Sequence, residues 1–338
     1  MIQLSAPILQ GQHWKNSLAR AVRDPAELLR LLDLPTDLLP AARRAAALFP
    51  LRVPHSYLRR ISRGYADDPL LRQVLPLGEE LIATEGYSDD PVGDLAAQQT
   101  PGLLHKYPGR ALLVATGACA VHCRYCFRRN FPYSDCNPLP DQWQQALTYI
   151  DTHPQIHEVI LSGGDPLSLS DNHLAALSQR LQDIDHLKTL RIHTRLPIVI
   201  PERVCDELLH WISECPLNVV MVVHVNHTNE IDDEVSEALA RLKQQGVMLL
   251  NQSVLLRGVN DSENALSELS HALFDAGILP YYLHQLDKVS GAAHFAVADE
   301  CALQLMDALR NQLPGYLVPR LVREVTGDSS KRPLVSPA

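Results

Sequence analysis

From residue 111 onward, short apolar runs alternate with longer amphipathic stretches. The runs are "ALLVAT" (111–116), "HEVILSG" (157–163), "TLRIHT" (189–194), "LNVVMVVHV" (217–225), "GVMLLNQSV" (246–254) and "LPYYLHQL" (279–286). Each has the length of a strand and is rich in leucine or β-branched residues. Between them "PDQWQQALTYIDTH", "DNHLAALSQRLQDI", "PERVCDELLHWI", "DDEVSEALARLKQQ" and "SENALSELSHALFDAG" place apolar residues at helical spacing. Strands that alternate with helices predict a parallel sheet with helices outside it. Right-handed crossovers curl such a sheet towards a barrel. Six units predict a partial (βα)6 barrel of the α/β class, with its chemistry at the C-terminal ends of the strands.

The first 100 residues have a different texture. "DPAELLRLLDLP" offers Asp24 as a cap, Pro25 in the first turn and an apolar face of Leu28, Leu29, Leu31 and Leu32. "DLLPAARRAAALFP" and "PHSYLRRISRGY" continue in the same helical, proline-broken style, and "YSDDPVGDLAAQQTPG" (87–102) reads as a linker. The expected division is a helical N-terminal region (1–100), a (βα)6 core (101–300), and a C-terminal helix with a tail (301–338).

Charge and composition narrow the function. A net charge of −9 argues against a nucleic-acid grip, which needs a basic surface. No apolar run approaches the roughly 18 residues that span a bilayer. "MIQLSAPILQGQHWKN" lacks the basic start and apolar stretch of a secretory signal, so a cytoplasmic location without membrane partners is expected. The chain has seven cysteines, an odd number with no disulfide-framework spacing. In a reducing compartment such thiols point to metal binding or chemistry.

Three of them, Cys119, Cys123 and Cys126, form C-x3-C-x2-C directly after the first core run. At a cysteine frequency of roughly 0.02, chance produces this spacing about 0.003 times per chain. Three sites fit: zinc with Cys136 as fourth ligand, a four-thiolate electron-carrying cluster that recruits Cys136, or a four-iron cluster with three thiolates and one open iron.

The spacing, with aromatic Tyr125 before the last cysteine, resembles the radical S-adenosylmethionine (SAM) superfamily. The resemblance implies a [4Fe-4S] cluster on Cys119, Cys123 and Cys126, with SAM on the open iron. "LSGGDPL" (161–167) matches the superfamily's glycine-rich motif and implicates Gly163, Gly164 and Asp165 in SAM binding. "HVNHTNEI" and "NQSVLLRGVND" add His224 and Gln252 by the same resemblance.

Together with "RIHTRLPIVIPERV", "PYYLHQLD" and a lysine in a polar tail, these motifs resemble the lysine 2,3-aminomutases from about residue 100 to 335. That family also uses pyridoxal 5′-phosphate (PLP), carried on a lysine. The matching residue is Lys331 in "VTGDSSKRP", in a chain whose other lysines are few. The family often has glycines where this chain has "GDSS". "HKYPGR" (105–110) matches the segment that meets the PLP phosphate, with Lys106, Tyr107 and Arg110 as its candidates. Lys106 stands where the family usually has arginine.

Arg128 matches the arginine that binds the substrate carboxylate. Asp287 and Glu324 match two acids that receive the ε-ammonium, Glu324 standing in place of an aspartate. The resemblance implies an isomerase that converts L-α-lysine to β-lysine with the help of an electron donor, and a homo-oligomer. Longer family members carry metal-binding cysteines beyond the lysine, which this sequence lacks. That and Glu324 resemble the branch that makes (R)-β-lysine for elongation factor P. An aminomutase acting on glutamate or another amino acid, and an iron–sulfur redox carrier, are the alternatives.

Overall fold

A computed structural model describes residues 13–136 and 143–335 of the chain, without the side chains of residues 135 and 136. Ten strands form one sheet in sequential order: β1 (Gln98–Thr100), β2 (Leu103–Tyr107), β3 (Arg110–Thr116), β4 (Glu158–Gly163), β5 (Thr189–Thr194), β6 (Asn218–Val223), β7 (Met248–Val254), β8 (Leu279–His284), β9 (Arg320–Arg323) and β10 (Arg332–Pro333). Strands β3 to β9 pair in parallel, and β1–β2, β2–β3 and β9–β10 pair antiparallel. The six runs read from the sequence are β3 to β8. The sheet does not close on itself, as expected of a partial barrel.

The helices are α1 (His13–Ala19), α2 (Pro25–Leu31), α3 (Leu39–Leu48), α4 (His55–Leu58), α5 (Pro69–Arg72), α6 (Tyr133–Cys136), α7 (Trp143–Asp151), α8 (Asp171–Gln182), α9 (Leu196–Val199), α10 (Asp206–Glu214), α11 (Asp233–Gln244), α12 (Glu263–Asp275) and α13 (Asp299–Gln312). Their starts follow local chemistry. The Ser170 hydroxyl caps α8 through the His173 N–H, Asp232 caps α11 through Val235, and Ser262 caps α12 through Ala265. Asp24 accepts from Ala26 N and Pro25 opens α2, as the sequence predicts. Among the described residues no helix is long and apolar enough to cross a membrane.

The strands are two-faced. In "TLRIHT", Leu190 and Ile192 are buried against the helices, whereas Arg191 and His193 line an internal cavity. Ile160 and Ser162 on β4, and Gln252 and Val254 on β7, continue that inner face. A parallel sheet buried on both sides normally reads as unbroken apolar sequence. The polar interruptions therefore mark the face that lines the cavity.

Four strands went unseen in the sequence. β1 and β2 lie in and beside the stretch read as a linker, and β9 and β10 lie in the tail. They have two to five residues each, too few for a period of two to show, and pairing with a neighbour rather than propensity selects them. The "PHSYLRRISRGY" stretch forms one turn only, α4.

The N-terminal helices clamp the cysteine loop. Arg124, between Cys123 and Cys126, is fully buried and donates through Nε and Nη2 to Glu80 at 2.8 and 2.5 Å, and through Nη1 to the Phe49 carbonyl at 2.8 Å. Arg129 shares the same carboxylate at 2.8 Å. Removing the buried anion leaves two guanidinium groups without their counter-ion. Glu80→Ala is expected to cost about 3–5 kcal/mol, read as a lower urea midpoint with unchanged slope.

Candidate active site

Every residue singled out above for cluster, SAM, PLP or substrate lines one cavity of about 430 Å³ that runs along the inner face of the sheet and opens towards the C-terminal strand ends. The three cysteines follow β3 within the loop clamped from outside by Arg124. Burial pushes the Cys119 thiol well up, and the neighbouring Cys126 adds to it. Cys126 is pushed up to about 11 by burial and by Cys123. Such thiols are poor free nucleophiles, and a bound cation is what removes their protons. Three sulfur donors in a cavity suit a soft iron centre. Among the described residues no three His, Cys, Asp or Glu side chains converge on a single ion. Cluster thiolates, one per iron, need not converge in that way. The Cys136 side chain, a possible fourth ligand, lies outside the described part.

The glycine pair has a physical cause. Gly163 has φ +119°, and a Cβ there would lie 2.5 Å from the Thr116 carbonyl oxygen. A Cβ on Gly164 would lie 2.4 Å from the Ala118 carbonyl oxygen. The missing side chains let the end of β4 dock on the cysteine loop, with Gly164 N donating to Thr116 O and Asp165 N to Ala118 O, both at 2.7 Å. The Asp165 carboxylate is spent within the protein. It accepts from Leu167 N, Thr194 Oγ1, Arg195 N and Leu196 N at 2.7 to 3.1 Å. Asp165 thus positions the end of β5.

His224 stacks on Tyr125 with ring centroids 5.6 Å apart, and its Nε2 lies 3.2 Å from the Tyr125 hydroxyl. Burial, helped by Arg195, depresses its pKa to about 3, so the imidazole is neutral. Gln252 faces the cavity with no side-chain hydrogen bond among the described residues.

From Arg128, two residues after Cys126, a chain of alternating charges runs along the cavity wall. Arg128 donates through Nε to Asp94 at 2.6 Å and through Nη1 to Ser162 Oγ at 3.0 Å. Asp94 also takes Lys106 Nζ at 2.7 Å, and Lys106 lies 3.5 Å from Glu324. Glu324 accepts from Tyr107 Oη at 2.6 Å and from Lys331 Nζ at 2.8 Å. These partners hold Asp94 and Glu324 below the usual carboxylate range against the opposing pull of burial. Arg110 lies over the Tyr107 ring at 4.2 Å and has no carboxylate partner among the described residues. Lys106 and Tyr107, by contrast, are engaged with carboxylates. Glu324 directly follows β9 and Lys331 directly precedes β10, so their ion pair closes the mouth of a hairpin connection.

Asp287 differs from its neighbours. Burial raises its pKa to about 7; Lys331 pulls it down, while Glu324 pushes it up. Its carboxylate makes no hydrogen bond or ion pair among the described residues, which leaves an anion-forming group facing the cavity in want of a cation.

Several contributors escaped the sequence reading. Asp94 sits in a turn-rich stretch whose composition gave no sign of burial. Arg195 lies within a quoted motif, but only its structure shows that it reaches Cys123. Gln73 and Glu230 buttress it from the N-terminal region and the loop after β6.

Comparison with known proteins identifies the family. Residues 113–269 match the radical SAM superfamily. The chain is 51% identical over 335 residues to an L-lysine 2,3-aminomutase of Escherichia coli (strain K12), covering 99% of this chain and 97% of that protein. It is 48% identical to the one of Haemophilus influenzae, covering 96% of both. With the one of Clostridium subterminale the identity is 32%, over 95% of this chain and 77% of that protein. The chain belongs to the lysine 2,3-aminomutase family of radical SAM enzymes.

Proposed function

We propose that this chain moves the amino group of L-α-lysine from the α- to the β-carbon in the cavity at the strand ends. The observation that carries the reading is the meeting of three half-buried cysteines, Lys331 and the two acids Asp287 and Glu324 around one space of about 430 Å³. When bound, the cluster with SAM supplies a hydrogen-abstracting radical, and PLP supplies the π-system that carries nitrogen between neighbouring carbons.

The chain's own residues bind and orient. Cys119, Cys123 and Cys126 hold the cluster, and His224 and Gln252 line the seat of SAM beside them. Arg110 receives the PLP phosphate, because its guanidinium is uncommitted whereas Lys106 is tied to Asp94. Lys331 carries the cofactor, and Glu324 and Tyr107 orient its amine. Arg128 keeps Nη2 free of protein bonds among the described residues and offers it to the substrate carboxylate. Asp287 and Glu324 receive the ε-ammonium. The same two acids would repel the side-chain carboxylate of glutamate, which disfavours that substrate.

The (R) product and its use on elongation factor P rest on resemblance, above all on Glu324 in place of aspartate. Anaerobic incubation with SAM, PLP, reductant and either lysine or glutamate, followed by chiral product analysis, tests the reading. (R)-β-Lysine from lysine alone is the expected result. Isomerised glutamate, or unchanged lysine, would overturn it.

Asp287 predicts a pH dependence. Below pH 7 the carboxyl is protonated and loses its attraction for ammonium; above it the carboxylate forms. The acid limb of kcat/KM for lysine should therefore rise through about pH 7. Asp287→Asn should remove that limb and raise KM about thirtyfold, the equivalent of roughly 2 kcal/mol for a charged hydrogen bond. Initial rates against pH check both.

A further inference from the structure

We propose that Arg195 is a positioning residue that sets the potential at which a cluster on Cys119, Cys123 and Cys126 accepts its electron. The inference rests on the cluster assignment above. Arg195 follows β5, and its backbone N–H is fixed by Asp165 at 2.7 Å. Its Nη1 donates to Cys123 Sγ at 2.8 Å and to the Tyr125 hydroxyl at 2.9 Å. Among the described residues this is the one hydrogen bond that a side chain gives to any of the three sulfurs. Nη2 donates to Glu230 and to Gln73 Oε1, both at 2.7 Å. The Nε donor is buried and finds no acceptor among the described residues, so the guanidinium has capacity beyond what the protein uses.

Arg195, Tyr125, Gln73, Glu230 and Asp165 are buried and Cys123 is half-buried, so the guanidinium is held on its buried side and only weakly screened by solvent. The step concerned transfers one electron from an external one-electron reductant, a low-potential flavin or iron–sulfur protein, onto the cluster. No bond is made or broken, and the cluster gains one negative charge. A cationic N–H donor on a ligating sulfur stabilises that added charge and raises the potential. Glu230 lies 2.7 Å from the same guanidinium and opposes it. The pair therefore sets the field at Cys123, and removing each member should shift the potential in opposite senses. A residue that merely packs the loop would not produce opposite signs.

The test uses full-length wild type, Arg195→Lys, Arg195→Gln and Glu230→Gln, each reconstituted anaerobically and assayed for iron and sulfide. Each is titrated with dithionite and mediators, with the reduced cluster followed by electron paramagnetic resonance. At the wild-type midpoint, Arg195→Gln should show a tenfold lower ratio of reduced to oxidised cluster, about 59 mV for one electron. Glu230→Gln should show a higher ratio than wild type, and Arg195→Lys a value between wild type and Arg195→Gln. Ratios within twofold of wild type in all variants, or shifts of one sign for Arg195→Gln and Glu230→Gln, overturn the inference. Should Arg195→Gln fail to hold iron, Arg195→Lys and Glu230→Gln decide by the same rule of opposite signs. A wild type without a reducible cluster would instead overturn the cluster assignment itself.

Discussion

Lys331→Ala should abolish turnover of lysine, by at least about a thousandfold, while leaving the iron content untouched. The amine of Lys331 sits 2.8 Å from Glu324 at the rim of the cavity, far along the chain from the cysteine loop but on the same space. Under the proposed function its loss would remove the covalent seat of PLP and no sulfur ligand. Wild type with PLP should show an absorbance band that borohydride traps on Lys331, and the variant should show none. Lys331→Arg keeps the positive charge beside Glu324 but cannot form the covalent link, so it should be as inactive as Lys331→Ala and more stable. Activity in either variant would move the cofactor lysine elsewhere.

The second large effect belongs to the thiols. Cys126→Ser should prevent the four-iron cluster from forming and abolish activity, because in the proposed site each sulfur of the trio would hold a different iron. Cys136→Ala should keep both cluster and activity. Iron and sulfide analysis with electron paramagnetic resonance, before and after SAM is added, separates these outcomes. A cluster that disappears with Cys136→Ala would mean that all four irons are capped by protein, as in an electron carrier. A spectrum of wild type that SAM leaves unchanged would say the same.

The sequence made the six central strands and their helices legible because the strands are apolar runs, the helices have apolar residues at helical spacing, and several helices start at a capping residue. "TLRIHT" alternates, and "SENALSEL" starts with the serine that caps α12. The cysteine trio was legible because three thiols at fixed offsets in a cysteine-poor chain are hard to obtain by chance. Lys331 was singled out through resemblance and scarcity, and the fold places it on the same cavity as the cysteines. What sequence could not show were relations between distant segments. Asp94 looks like any turn aspartate until β2 and the cysteine loop bring Lys106 and Arg128 to it. Lys106 resembles a phosphate ligand, yet in the folded chain it is held by Asp94 and neighbours Glu324. Asp165 belongs to a motif expected at SAM, yet its carboxylate fastens the start of α9. The role of the first 100 residues was invisible for the same reason. Gln73 and Glu80 do their work on Arg195 and Arg124, more than 40 positions away.

The hairpin that joins Glu324 to Lys331 bears on repeated turnover. Antiparallel pairing of Arg332 with Arg323 and Pro333 with Val322 fastens the chain on the far side of the lysine. Leu334 N, bonded to Leu321 O at 3.1 Å, extends that seam by one more rung. Under the proposed function, each cycle would ask the amine to let go of its cofactor and later to find it again. Because the backbone on either side is stitched to the sheet, only the four-carbon arm has to travel, and the search for its target is confined to the reach of one side chain.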